Sequence, residues 1–137
     1  MAEEVRKVDY YYVTVPNRPG EGARVLAALR SAGVNLLAVH AFPSGDGAQI
    51  DLVPGMGTAL EEAAAKAKLQ LSPKKTAFLV EGDDRLGAAA DLLRKLADAE
   101  INVTAMEAVR AGGGRYGALL WVKPADVDKA AHALGAH

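Results

Sequence analysis

The sequence predicts an α+β protein in which one βαββαβ pattern occurs twice, each copy an antiparallel sheet with its helices on one face. Three observations carry this. Apolar residues alternate at period two in stretches such as Tyr11-Tyr12-Val13-Thr14-Val15, then recur at helical spacing in Val25, Leu26 and Leu29. Glycine-rich turns separate these stretches. Finally, a displacement of 67 residues carries Arg18-Pro19-Gly20 onto Arg85-Leu86-Gly87, and Val25, Leu26 and Leu29 onto Leu92, Leu93 and Leu96.

In the first copy, Tyr11, Val13 and Val15 mark a strand that runs into the polar turn Asn17-Arg18-Pro19-Gly20. A helix starts on that glycine and ends at Gly33. A second strand is expected from Val34 to Phe42, and the hairpin Ser44-Gly45-Asp46-Gly47 returns the chain. On the third strand Ala48, Ile50 and Leu52 alternate with Gln49, Asp51 and Val53. An alanine-rich helix follows from Ala59 to Lys68, then a short strand at Leu69-Gln70-Leu71. That order is a ferredoxin-like unit, residues 1–71. Residues 72–74 form a short linker.

The second unit, residues 75–137, repeats the order. Phe78 and Val80 lie on its first strand, Asp84-Arg85-Leu86-Gly87 is its turn, and Leu92, Leu93, Leu96 and Ala97 stripe its helix up to Glu100. A strand from Ile101 to Val109 and the turn at Gly112-Gly113-Gly114 follow. Beyond that turn the repeat offset becomes 70, so Gly47, Ala48, Ile50 and Leu52 meet Gly117, Ala118, Leu120 and Val122. Hairpin turns absorb such length changes cheaply. Pro124 suits the first turn of a last helix, Ala125 to Leu134. The sequence then stops at Gly135-Ala136-His137, so the second unit lacks a full last strand. Its edge is expected to be open or borrowed, which argues for a partner.

Composition excludes several classes. The 137 residues are 50% hydrophobic, enough for a packed core, and the formal net charge is −1. No basic run exceeds two residues, so a nucleic-acid footprint is missing. Cysteine is absent, which removes disulfides, thiolate chemistry and Cys-based zinc sites. His40, His132 and His137 are too scattered for a metal triad, and no cofactor motif occurs: Gly112-Gly113-Gly114 lacks the Lys-Ser/Thr of a phosphate loop. No signal peptide or membrane span is read, so the expectation is a cytoplasmic protein that neither binds nucleic acid nor enters a membrane.

The residues quoted for the two turns, in this repeated setting, resemble the ACT domain, a regulatory amino-acid-binding module. The resemblance covers about residues 8–71 and 75–134. Asn17-Arg18-Pro19-Gly20 with Gly33-Val34-Asn35-Leu36 is similar to the family pattern, Asn17 standing where Asp is common. Asp84-Arg85-Leu86-Gly87 with Glu100-Ile101-Asn102-Val103 is similar but has Leu86 in place of proline. The resemblance implies a non-catalytic allosteric sensor that binds a small amino-acid effector at the seam between units, and a homodimer. It implies contacts from Asn17, Arg18, Pro19, Gly20, Asn35 and Leu36, and from Asp84, Arg85, Gly87 and Asn102. The departures in the second copy direct attention to the first turn.

The residues support these roles and blander ones. A strand-to-helix turn aims backbone N–H groups and a positive dipole end at one spot, which suits a carboxylate; a tight turn alone also needs glycine. Asn35 and Asn102 can pair with both ends of an amino acid, or simply cap the loop after a helix. Arg18 and Arg85 can hold an acid group bidentately, or stand solvated. Arg18 with Asn35 also matches in kind an acylphosphatase on the same fold, ranked low because no glycine-flanked cradle surrounds them. A structural pair without ligand is the other alternative. Tyr10, Tyr12, Leu79, Leu119 and Trp121 fall on the face away from the helices. Without basic residues they are a poor RNA platform and fit a face covered by a partner subunit.

Overall fold

The computed structural model describes residues 3–137. The elements are β1 (Glu4–Pro16), α1 (Glu21–Ser31), β2 (Leu36–Ser44), β3 (Gly47–Pro54), α2 (Gly57–Ala67), β4 (Lys75–Asp83), α3 (Ala88–Asp98), β5 (Val103–Gly112), β6 (Arg115–Val122) and α4 (Val127–Leu134). A short 3-10 turn, Pro124–Asp126, leads into α4. The layout is α+β, with the βαββα order occurring twice.

Two compact units divide the chain. One is Asp9–Lys75. The other combines Thr76–His137 with the chain up to Val8. In the first unit the strand order is β2-β3-β1. β3 runs antiparallel to both neighbours, with Val13 opposite Ile50 and Val39 opposite Leu52. Tyr11, Val13, Val15, Ile50 and Leu52 point one way and pack with Val25 and Leu29 of α1 and Leu60 of α2. This is the period-two and period-3.6 patterning of the sequence made into a core.

In the second unit the order is β1-β4-β6-β5. β6 is antiparallel to β4 and β5, with Phe78 opposite Leu120 and Met106 also opposite Leu120. Phe78, Val80, Ala118 and Leu120 meet Leu92 and Leu96 of α3 and Leu134 of α4, and Val5 of β1 joins them. The described residues up to Val8 thus belong with this unit, not with the first repeat. Lys7 N–H donates to His137 C=O at 3.0 Å and His137 N–H donates to Val5 C=O at 3.1 Å. The strand that the second repeat lacks is therefore borrowed from the chain's own N-terminal stretch.

β1 serves two cores, and its sequence shows the handover. Val5 and then Tyr11, Val13 and Val15 are buried in the two clusters, while the intervening Lys7 and Asp9, in the same alternation, are exposed.

Three expectations change. Leu69-Gln70-Leu71 is not a strand; the segment is held instead by Ser72, whose N–H donates to Tyr12 C=O at 2.8 Å while Tyr12 N–H donates to its Oγ at 2.9 Å. β2 and β5 begin at Leu36 and Val103, about two residues later than the pattern suggests. Gly33 and Glu100 take the left-handed conformation and the chain needs a loop to recover. The face away from the helices is not bare: Tyr10, Leu119 and Trp121 are 8%, 6% and 6% exposed within this one chain. Tyr12 and Leu79 on the same face are half-buried. Among the strands, apolar exposure falls on β2, at Leu37, Val39 and Phe42, and on β5, at Val109. Among the described residues no helix is long and apolar enough to cross a membrane.

Candidate functional site

The first turn links β1 to α1. Asn17, Arg18, Pro19 and Gly20 are all exposed, and Gly20 sits at φ 93°, a conformation that favours glycine. Arg24 N–H donates to Gly20 C=O at 2.9 Å, which opens the helix. The side chains turn inward on themselves. Glu21, the first helical residue, takes Arg18 Nη2 at 3.3 Å and Arg24 Nη2 at 2.9 Å. Arg24, and Arg18 after it, hold the Glu21 carboxyl below its usual range. The chain thus supplies its own carboxylate for the arginine that was expected to meet a ligand. Asn35 is exposed in the loop before β2, and its carbonyl accepts from Gly55 N–H at 3.0 Å. Leu36 is half-buried and packs on the core. A cleft of about 500 Å³ in this unit lies between α1 and α2, lined by residues such as Ala28, Ala32, Ala63 and Lys66. None of the predicted site residues lines it.

The second turn links β4 to α3, and it does border a cleft, of about 270 Å³. Asp84, Arg85 and Gly87 form one wall with Ala88, Ala89 and Ala90 of α3. Ala108, Val109 and Arg110 of β5 and Tyr116 of β6 form the other. Gly87 sits at φ 81°, the conformation that lets the chain enter α3. Asp84 N–H donates to Gly114 C=O at 2.8 Å, so the turn is fastened to the β5–β6 hairpin. Arg110 Nε donates to Asp84 Oδ2 at 2.8 Å, and Arg85 Nη2 meets Asp91 Oδ2 at 2.7 Å. Asp91 raises the Arg85 guanidinium above its already high value. Tyr116 donates its hydroxyl to Glu3; burial first, and then that carboxylate, push the phenol up, so it stays protonated.

The structure therefore brings Asp84, Arg85 and Gly87 together around one cleft. Asn102 is exposed in the loop before β5 and does not line it. Arg110 and Tyr116 escaped the sequence reading. They stand opposite each other in the β5–β6 register, and that pairing was the available signal: both follow from folding the hairpin about Gly112-Gly113-Gly114.

Chemically the cleft offers binding groups. Each guanidinium has five N–H donors in a fixed fork, of which its carboxylate takes part. No nucleophile and general base stand together among its lining residues. The pairing of Arg18 with Asn35 expected for an acylphosphatase finds Arg18 engaged by Glu21. Among the described residues no cluster of three or more His, Asp or Glu is placed to hold a metal ion.

No family model matches the chain, and no curated protein matches its sequence. Solved structures do match its fold. Protein BT0572 from Bacteroides thetaiotaomicron superposes with a TM-score of 0.81 at 15% identity, covering 96% of this chain and 88% of that one. The ligand-free regulatory subunit of aspartate kinase from Thermus thermophilus gives 0.64 at 14% identity, over 98% and 93%. The same subunit from Thermus flavus gives 0.58 at 18%, over 98% and 94%. At these identities the likeness establishes the fold, which is that of tandem ACT-domain regulatory subunits.

Proposed function

We propose that this chain, with its tandem ACT fold, is a non-catalytic regulatory protein whose effector is a small amino acid held at the second strand-to-helix turn. The cleft at Asp84, Arg85, Gly87 and Arg110 carries this reading. It joins a helix start to two guanidiniums, the groups that suit a carboxylate, and Asp84 supplies an acceptor for an ammonium. The likeness to the aspartate kinase regulatory subunits supports the regulatory half of the reading. Binding would favour the conformers in which turn, hairpin and helix are closed on the ligand, an allosteric shift of population. A cytoplasmic location and a homodimer complete the proposal, the dimer resting on the exposed apolar residues of the outermost strand β2.

Thermal-shift and calorimetric screening of the twenty amino acids at millimolar concentration tests it. A ligand at 100 times its Kd stabilises by about 2.7 kcal/mol, an easily read rise in Tm. Silence from every amino acid would sink the proposal. A second reading, a structural pair without ligand, is favoured at the first turn, whose residues line neither of the clefts described above. Asn17, Pro19, Gly20, Asn35 and Leu36 would then be scaffold there, as Asn102 would be in the second unit.

A further inference from the structure

We infer that the outer edge of β5 is a docking strand for another protein, and that the partner is an extended acidic segment that adds to the sheet there. This goes beyond the effector reading and does not depend on it. β5 ends the strand order of its unit, so among the described residues one side of it has no neighbouring strand. Its pairing with β6 is regular from Ala105 to Arg110, between irregularities at Val103/Ala105 and Arg110/Gly112. Over that stretch the outer side presents the N–H and C=O groups that an added strand completes. Alternation assigns the faces. Ala108 and Arg110 lie opposite Ala118 and Tyr116, which belong to the core on the helix side. Val109 points the other way and is 62% exposed.

The open cleft between β5 and the start of α3 receives every second side chain of such a strand. An antiparallel addition repeats what β6 already makes with β4 and β5. One side chain then meets Arg110, with Arg85 on the facing wall, and the next but one meets Ala108. The residue between them covers Val109. Charge names the partner. Two guanidiniums, Arg85 and Arg110, line the cleft against the single carboxylate of Asp84. Asp91 also meets Arg85, but both side chains are at least half exposed, and ion pairs so exposed hold a guanidinium weakly. An acid in the added strand is therefore favoured. A second copy of this chain, joined edge to edge through β5, would instead set two positively lined clefts side by side. β2 carries no Lys, Arg, Asp or Glu from Leu36 to Ser44 and has no such bar. The pattern that fits β5 is acid, β-branched, small: Glu-Val-Ala against Arg110, Val109 and Ala108.

The test titrates the full chain, nitrogen-15 labelled, with the synthetic peptide acetyl-Thr-Glu-Val-Ala-Thr-amide and with its Lys-for-Glu counterpart. Two further copies are N-methylated, one at valine alone and one at glutamate and alanine. Amide shifts should move at residues 105–110, and the acidic peptide should bind about tenfold tighter than the basic one. Successive N–H groups of a strand point to opposite sides, so one methylated copy should lose binding and the other keep it. Arg110→Glu, at a side chain 71% exposed, should reverse the charge preference. Acidic and basic peptides bound alike, both methylated copies bound as the parent peptide is, shifts confined to β2, or no binding at millimolar peptide would each overturn the inference and leave the sensor reading standing. Peptide binding beside a silent amino-acid screen would sink the sensor reading and leave this one.

Discussion

Tyr116 of β6 donates its hydroxyl to the Glu3 carboxylate at 2.5 Å, joining residues 113 positions apart. Gly82 makes room for the contact. It lies opposite Tyr116 in the β4–β6 register, and a Cβ there would stand 2.9 Å from the Tyr116 ring and 3.2 Å from Glu3 Cγ. The bond pins the start of the chain into the unit that lacks a strand of its own.

Tyr116→Phe should therefore act through the borrowed strand. The loss of one partly buried hydrogen bond to a charged acceptor costs about 1.5–3 kcal/mol. The measurement is urea denaturation together with amide exchange. Protection should fall first at Lys7 and His137, whose amides make the backbone bonds that hold this stretch. Exchange raised only around the hairpin, with Lys7 and His137 unchanged, would rule this out.

Alkaline pH should weaken the fold through the tyrosines. Tyr11 donates to Glu61 Oε2 at 2.5 Å, and burial, followed by that carboxylate, pushes its phenol up to about 12. Tyr116 is raised for the same reasons. A proton held more tightly in the folded state gives stability that is complete below the unfolded value of about 10 and lost as pH rises through the folded value. Unfolding free energy should fall between about pH 10 and 12. Tyr11→Phe should start lower at neutral pH and fall less steeply. Parallel profiles for parent and variant would rule the phenol out as the cause.

How much of this was legible in the sequence varies with range. The alternation of Val13, Val15, Ile50 and Leu52 and the helical stripe of Leu92 and Leu96 are local, and both cores were readable from them. The first half of β1 was not. Glu4, Arg6, Lys7 and Asp9 leave only Val5 and Val8 as apolar signals, and the buried residues that share Val5's cluster lie some seventy or more positions away. The candidate site was half legible for the same reason. Asp84, Arg85 and Gly87 share one turn, whereas Arg110 and Tyr116 reach the cleft only after a hairpin folds. The repeated Asn35 and Asn102 misled because both sit in loops that follow a left-handed residue, Gly33 or Glu100. At such places asparagine serves the backbone.

Asp51 should oppose stability at neutral pH. It sits in the middle of β3 and is 4% exposed, although it alternates with the core residues Ile50 and Leu52. Burial lifts its carboxyl above the usual range, against the pull of the Gln49 hydrogen bond at 2.9 Å and of His40 and Lys75. The raised value means that ionisation penalises the fold as pH climbs through the carboxylate range, and that acid relieves it. Asp51→Asn should be more stable near pH 7 by on the order of 1 kcal/mol. The gain should shrink toward pH 4, as paired melts at the two pH values would record. A gain that grows in acid would contradict this.

Gly47 and Gly117 are repeat mates, yet replacing them should have opposite effects. Gly47 opens β3 after its hairpin, and an added Cβ would stand 2.5 Å from the backbone oxygen of Val15. Backbone cannot swing aside as a side chain can, so the β1–β3 pairing must shift. Gly47→Ala should lose about 1–3 kcal/mol. At Gly117 the Cβ would meet the Val80 oxygen at 3.7 Å, an ordinary contact. Glycine within a strand is weakening in itself, so Gly117→Ala should be neutral or gain up to about 1 kcal/mol through a less flexible unfolded chain. Thermal melts of the two single variants decide the matter. Equal losses would mean that the two strands meet their neighbours alike, and that the close approach at Val15 is not what demands glycine at position 47.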